Sequence, residues 1–428
     1  MSAAIIASGV LMIATVLAAT GDAGAAAANH AAIQVQDAGG VAVGAPAAPP
    51  AGPALAALTY KMAGDDLRTR VVINFDRKPE VSELLLDAPC RLVIDLPETV
   101  FAFDKSSLAP KGLVDDVRYG LMSRGRSRLI LTLKGPFAVQ NLVVEKNETD
   151  PGYRLVIDLA TASRDKFKAA VAAREQALKS AILAPEDPVA AAPRSSNHRF
   201  TVVIDPGHGG IDSGAQGTDG TLEKNVVLAV GDRLRDILAR NGRVKVIMTR
   251  DSDVFLSLSE RVRVARMAGA DLFVSIHADS IHVASLRGAT VYTISDKASD
   301  ALAQQTADSE NLADSVAGVP LENEPPAVAD ILLDLTLRET HSFSIQFAED
   351  VVQALDTGGI NLINRPHRSA GFRVLKAPDV PSVLVELGYL SNSQDEKLLN
   401  DPDWRDRAAG DIANAVLEFA TMKAGTGG

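Results

Sequence analysis

The apolar positions of this chain follow two rhythms, one on each side of about residue 198. Between residues 55 and 160 they form short runs: TRVVINF, SELLL, RLVIDL at 91–96, SRLILTLKG, QNLVVEK, and RLVIDL again at 154–159. Runs of this length separated by polar turns predict many short strands, hence a small all-β sandwich. The repeated hexapeptide matches Arg91 to Arg154 and Asp95 to Asp158, which points to an internally duplicated sheet. Beyond residue 198 apolar strands alternate with helical periods. VVIDPGHGG, DLFVSIHADS and PSVLVELGYLSN each read as a buried strand stopped by glycine, proline or polar residues. Between the first two, TLEKNVVLAVGDRLRDILARNG carries Leu222, Val226, Val230, Leu234 and Ile237 at helical spacing. This alternation predicts an α/β domain with a mostly parallel sheet flanked by helices.

The other stretches are connectors and additions. IIASGVLMIATVLAA at 5–19, followed by small residues, predicts a signal peptide over 1–28, with no Lys or Arg in the MSAA before it. The run is too short for a membrane anchor, so no stable membrane insertion is expected. Residues 29–54 are Ala, Gly and Pro rich and lack the bulky apolar content to fold, which reads as a leader. Residues 161–197 form a linker, helical to about 183 and proline-containing after it. The domain over 198–428 carries a helical insertion at about 298–356, within a connection of about 90 residues that is long for a simple crossover. Its second helix, over 327–355, supplies a packing face through Ile331, Leu335, Val351 and Leu355. The first, over 298–318, is polar and is expected to detach more readily.

Candidate chemistry sits at the strand ends. His208 follows VVIDPG in a glycine-rich loop, where the backbone can approach a ligand closely. His277 ends the strand DLFVSIH, and Glu223 lies in the first turn of the helix between them, where the dipole favours a carboxylate. Two such histidines and a carboxylate match a His2Glu zinc set that leaves one tetrahedral position open. Glu386 stands inside the apolar run PSVLVELGYL, where an ionisable group is costly unless it is paired or functional.

VVIDPGHGG, EKNVVL, MTRDSDVFLSLSERVRVA, FVSIHAD and VELGYLSN, in that order over about 200–420, resemble the zinc-dependent N-acetylmuramoyl-L-alanine amidases of bacterial cell-wall turnover. The resemblance implies Zn2+ bound by His208, Glu223 and His277, with Glu386 as the catalytic carboxylate. It also implies the substrate, the amide between N-acetylmuramic acid and L-alanine in peptidoglycan. The unit over 55–160 resembles, more weakly, the AMIN domain, a non-catalytic module that targets such enzymes to the envelope. The insertion is similar to that of the division-associated amidases, where an inhibitory helix caps the zinc with a carboxylate. Glu310 is the leading candidate here for that inhibitory fourth ligand; Glu322, Glu324 and Glu339 stay open. By the same resemblance the protein is exported to the periplasm, splits the septal wall during division, and is released by a LytM-domain activator protein.

Composition narrows the picture further. A formal charge of −11 excludes the basic footprint of a nucleic-acid binder. Aromatic content of 4% argues against a stacked-ring sugar platform, leaving polar groups to grip glycan. The single cysteine, Cys90, permits no internal disulfide and reads as a buried strand thiol. The chain is expected to be a monomer. His30, His198, His282, His341 and His367 complete no ligand spacing. Asp205 is a candidate to orient His208 through its ring N–H, or else a turn stabiliser; Arg250 and Ser275 match family positions and can equally be structural. A zinc peptidase cutting within stem peptides would use the same ligand set. A catalytically dead wall-binding protein would have lost one of the four site residues, and all four are present.

Overall fold

The structure, a computed structural model, describes residues 54–123, 125–181, 199–281, 283, 285–318 and 331–426. The signal peptide and nearly all of the leader, His30, His198, His282, Glu322 and Glu324 lie outside the described residues.

The N-terminal part comprises β1 (Leu55–Gly64), β2 (Arg68–Phe75), β3 (Ser82–Leu86), β4 (Arg91–Pro97), β5 (Thr99–Phe101), β6 (Val114–Ser123), β7 (Arg126–Leu133), β8 (Phe137–Lys146) and β9 (Tyr153–Thr161). They make a five-stranded sheet, β5-β1-β2-β9-β8, and a four-stranded sheet, β3-β4-β7-β6. Alternation drives their pairing: Val71, Ile73 and Phe75 of β2 and Leu92, Ile94 and Leu96 of β4 point inward into one shared core. The two RLVIDL copies lie in different sheets, β4 in one and β9 in the other. Each pairs antiparallel with a strand of Arg-x-Arg pattern, so that Asp95 stands opposite Arg128 and Asp158 opposite Arg70. The duplication therefore runs across the sandwich and not along one sheet. Cys90 is buried as expected but sits in the turn before β4, not in a strand. A helix, α1 (Arg164–Ala181), follows, and its Phe167 is fully buried against Phe137 with ring centroids 4.9 Å apart.

The C-terminal part contains β10 (Thr201–Pro206), α2 (Glu223–Asn241), β11 (Lys245–Met248), α3 (Leu258–Met267), β12 (Leu272–His277), β13 (Ala289–Ile294), α4 (Ala301–Glu310), α5 (Ala313–Val316), α6 (Ile331–Thr357), β14 (Leu362–Ala370), β15 (Ser382–Glu386), α7 (Ser393–Asn400) and α8 (Pro402–Thr426). The six strands order as β11-β10-β12-β15-β13-β14. All neighbours run parallel except β13 and β15. Val202 and Ile204 of β10 join the core beneath α2, α6 and α8, while Val203 packs on the other face with α3 and α4. Burial on both faces explains why these strands read as unbroken apolar runs. A capping box, Ser257 with Glu260, starts α3, and a left-handed Gly242 stops α2. Because β10, β12 and β15 are adjacent and parallel, their carboxyl ends emerge at one edge, where open α/β sheets hold their ligands. No helix among the described residues is long and apolar enough to cross a membrane.

Candidate metal and catalytic site

His277 and Glu386 are the last residues of neighbouring strands and stand opposite each other in register. His208 lies two residues past β10 with φ +55°, a left-handed conformation that a non-glycine residue holds only when its surroundings impose it. The surroundings here are two buried guanidinium groups. Arg250 donates to the carbonyls of Pro206 and Gly207, and Arg261 donates to those of Pro206 and His208. Glycine is required at Gly207, since a Cβ there would lie 2.5 Å from His277 Nε2. It is required again at Gly214, where a Cβ would come within 2.6 Å of a Glu223 carboxylate oxygen.

Four predicted residues converge. The ligating atoms of His208, Glu223, His277 and Glu310 all lie within 4.8 Å of one another, and all four residues are buried. His208 Nε2 is 3.1 Å from Glu223 Oε2 and 3.4 Å from Glu310 Oε2; His277 Nδ1 is 3.2 Å from Glu223 Oε1 and 3.0 Å from Glu310 Oε2. Of the acids left open by the sequence, Glu339 is exposed on α6 and takes no part in the cluster. Glu310 is the last residue of α4, and Asn311 and Ala313 beside it line the same pocket as Gly207, His208 and His277. Glu386 adjoins the cluster and accepts a hydrogen bond from the Asp279 backbone N–H at 2.9 Å.

Two residues with a part in the site went unread in the sequence. Asp212, not Asp205, holds His208: its Oδ2 is 2.9 Å from His208 Nδ1. That contact aims Nε2 at the centre of the cluster. Asp205 instead accepts from Thr249, Arg261 and Ser275, which makes it a brace behind the loop. Ser275 acts only through that brace. The only signal for Asp212 was its position four residues after His208 among small loop residues, and Asp205 was as near. The second is Asp279, buried beside Glu386 and Glu310. Among the other described histidines, His367 Nε2 meets Thr293 and His341 lies on α6, both away from the cluster.

The electrostatics call for a cation. Asp212, Glu223, Asp279, Glu310 and Glu386 are buried around two imidazoles, with the guanidinium groups of Arg250 and Arg261 behind the loop on backbone carbonyls. Burial pulls the His208 imidazole toward the neutral form, but Glu223, Asp212 and Glu310 outweigh it and hold its pKa well above the usual range. His277, likewise buried and facing Glu310 and Glu223, is pushed up to about 10. Burial raises the Glu386 carboxyl well above the carboxylate range; His277 opposes this, and Asp279 and Glu310 reinforce it. His208 Nε2, His277 Nδ1 and Glu386 Oε1 are nonetheless buried without a partner in hydrogen-bond geometry. Imidazole lone pairs aimed at a point shared with two carboxylates fit a divalent metal of the His/carboxylate class, and such a cation offsets the buried negative charge.

Comparison with known proteins identifies the family. The sequence profile of the N-acetylmuramoyl-L-alanine amidase family matches residues 202–418, and that of the AMIN domain matches residues 61–159. N-acetylmuramoyl-L-alanine amidase AmiC of Neisseria meningitidis serogroup B is 34% identical over 370 residues, covering 82% of this chain and 86% of the relative. The AmiC of Escherichia coli O6:H1 is 32% identical over 367 residues, with the same two coverages. Among solved structures, the amidase AmiC2 of Nostoc punctiforme matches at 30% identity and a TM-score of 0.36, covering 52% of this chain and 98% of that one. With both halves of the chain matched in order, the protein belongs to the N-acetylmuramoyl-L-alanine amidase family and is an amidase acting on peptidoglycan, with an AMIN domain ahead of its catalytic domain.

Proposed function

We propose that this amidase is a zinc enzyme held in an inactive state by its own insertion. The observation that carries the reading is the buried convergence of His208, Glu223, His277 and Glu310, with two imidazole nitrogens that face its carboxylates without hydrogen-bond geometry. His208, Glu223 and His277 would hold Zn2+, and Glu310 would take the fourth position. When bound, zinc in this set would supply Lewis-acid chemistry, polarising a scissile carbonyl and lowering the pKa of water toward about 7. Asp212 fixes the tautomer and direction of His208. Glu386, beside the open side of the set, takes the proton from the attacking water and delivers it to the departing L-alanine amine. The products are a free lactyl carboxylate on the glycan and a free amine on the peptide. No residue acts as a covalent nucleophile.

The finer assignments rest on the same reading. The residues over 1–28 serve as a signal peptide, and the enzyme works in the periplasm as a monomer at the division septum. The AMIN domain targets the wall. A LytM-domain protein moves the insertion, and it can do so only by binding the open form better than the closed one.

Asp212→Asn is expected to weaken zinc binding about 10- to 100-fold, the usual cost of losing the partner of a ligating histidine. Competition with a chromogenic chelator measures it, and an unchanged affinity would reduce Asp212 to a loop brace. The test of the whole reading is digestion of purified peptidoglycan by the full chain and by Glu310→Ala, with products read by mass spectrometry and zinc by elemental analysis. Glu310→Ala should raise basal turnover at least about tenfold at unchanged zinc content, since ~1.4 kcal/mol of lost contact already shifts an equilibrium that far. Equal turnover in the two proteins, with zinc bound to both, would return Glu310 to a structural role.

A further inference from the structure

Glu310 is poorly held by its own helix. The buried face of α4 consists of Ala303, Thr306, Ala307 and Glu310, and Leu302 packs half-buried against the cluster of Ile281, Ile363 and Tyr389, so its apolar anchorage is small: two alanine methyls and one leucine, all a turn or more before Glu310 except Ala307. A carboxylate at a helix C-terminus is also disfavoured by the helix dipole. The segment after it, residues 311–318, is fastened instead. On the catalytic side, Asn311 donates to the Gly371 carbonyl and accepts from the Arg373 N–H, while Asp314 accepts from the Leu258 N–H. On its far side it meets the AMIN domain. Arg128 Nη1 donates to the carbonyls of Ala317 and Gly318 at 2.7 and 3.1 Å, and Arg91 donates to the Ser315 carbonyl. α5 ends at Val316, so the carbonyls of Ala317 and Gly318 lie past its last helical residue. Arg128 is aimed by a two-point ion pair with Asp95 and keeps only 9% of its side chain exposed.

The contact is built on both sides. Val93 and Ile130, on the outer face of the AMIN sheet, are fully buried in a cluster with Ile211 and Phe255 of the catalytic domain and Ala317 of the insertion. Gly318 has φ +69°, and a Cβ on it would lie 3.0 Å from Val93 and 3.3 Å from Leu86. The sandwich duplication supplies an internal comparison. The twin pair, Arg70 with Asp158 on the opposite sheet, has the same strand register but leaves 62% of the arginine side chain in solvent. One copy of the motif holds the insertion, and the other, among the described residues, pairs only within the AMIN domain.

We infer that the AMIN domain is a latch: Arg91 and Arg128 grip the Ser315–Gly318 turn and thereby keep Glu310 in the metal site. The inference rests on the autoinhibited reading above. Inhibition is then a property of both domains together, and a partner that opens the site must break or bypass the arginine contacts.

The test uses the full chain on purified peptidoglycan, with zinc measured in each protein. Arg91→Ala/Arg128→Ala should raise basal turnover about tenfold or more at unchanged zinc, the scale expected for hydrogen bonds from a charged donor. Amide hydrogen exchange over 311–318 should quicken in the same variant without substrate. Arg70→Ala, the twin, should leave both readouts as in the parent. Gly318→Ala, which changes no residue of the AMIN domain and crowds the turn against Val93 and Leu86, should act in the same direction as the double variant and decides the matter should that variant not fold. In a Glu310→Ala background the arginine changes should add little. Should Glu310→Ala activate while Arg91→Ala/Arg128→Ala and Gly318→Ala match the parent, the latch is overturned and autoinhibition stands. If Glu310→Ala itself fails to activate, the inhibitory reading falls first.

Discussion

Glu386→Gln is expected to lower kcat by about 100- to 10,000-fold, the range for losing a positioned general base, while zinc stays bound. The variant keeps the shape of the side chain and the contact from the Asp279 N–H, so the strand end should hold its place. It removes the group to which the proposed function assigns the proton transfer from water to amine. Glu386 is 0% exposed and outside the four-atom cluster, which is why zinc content is the discriminating measurement. A glutamine variant that lost its metal, or one that kept near-parental kcat, would sink the role assigned here.

Removing the metal should abolish hydrolysis altogether. Dialysis against a chelator is expected to silence the enzyme, and stoichiometric Zn2+ to restore it. His277→Ala should reproduce the silent state permanently, because it deletes one imidazole from a set with only two. The same change leaves three buried carboxylates, Glu223, Glu310 and Glu386, without that counter-charge, so some loss of stability should accompany it. Circular dichroism at the assay temperature separates the two effects. Turnover that survives exhaustive chelation, in an enzyme shown free of zinc, would rule out the metal mechanism.

The sequence by itself determined the architecture and the places where chemistry is presented. Apolar runs buried on both faces have to be central strands, and a polar or glycine stop at their carboxyl ends has to lie at the sheet edge. That logic put His208 and His277 at strand ends and Glu223 at a helix start; Glu386, read as lying inside an apolar strand, is the last residue of β15, and the fold brings these ends together because β10, β12 and β15 are parallel neighbours. Polar loops and edges were beyond that reading. Asp205 and Asp212 are equally near His208 in the chain, and only the left-handed backbone at His208, imposed by Arg250 and Arg261, turns the ring toward Asp212. Glu310 was one of four candidate acids spread over the insertion, with nothing in the chain to choose among them; its seat depends on contacts to residues distant in sequence. The two identical hexapeptides look interchangeable in the chain, yet one arginine–aspartate pair is buried under the insertion and the other faces solvent. Local pattern sets which face of a strand is apolar, but what covers that face is decided by the packing of whole domains, which no window of sequence contains.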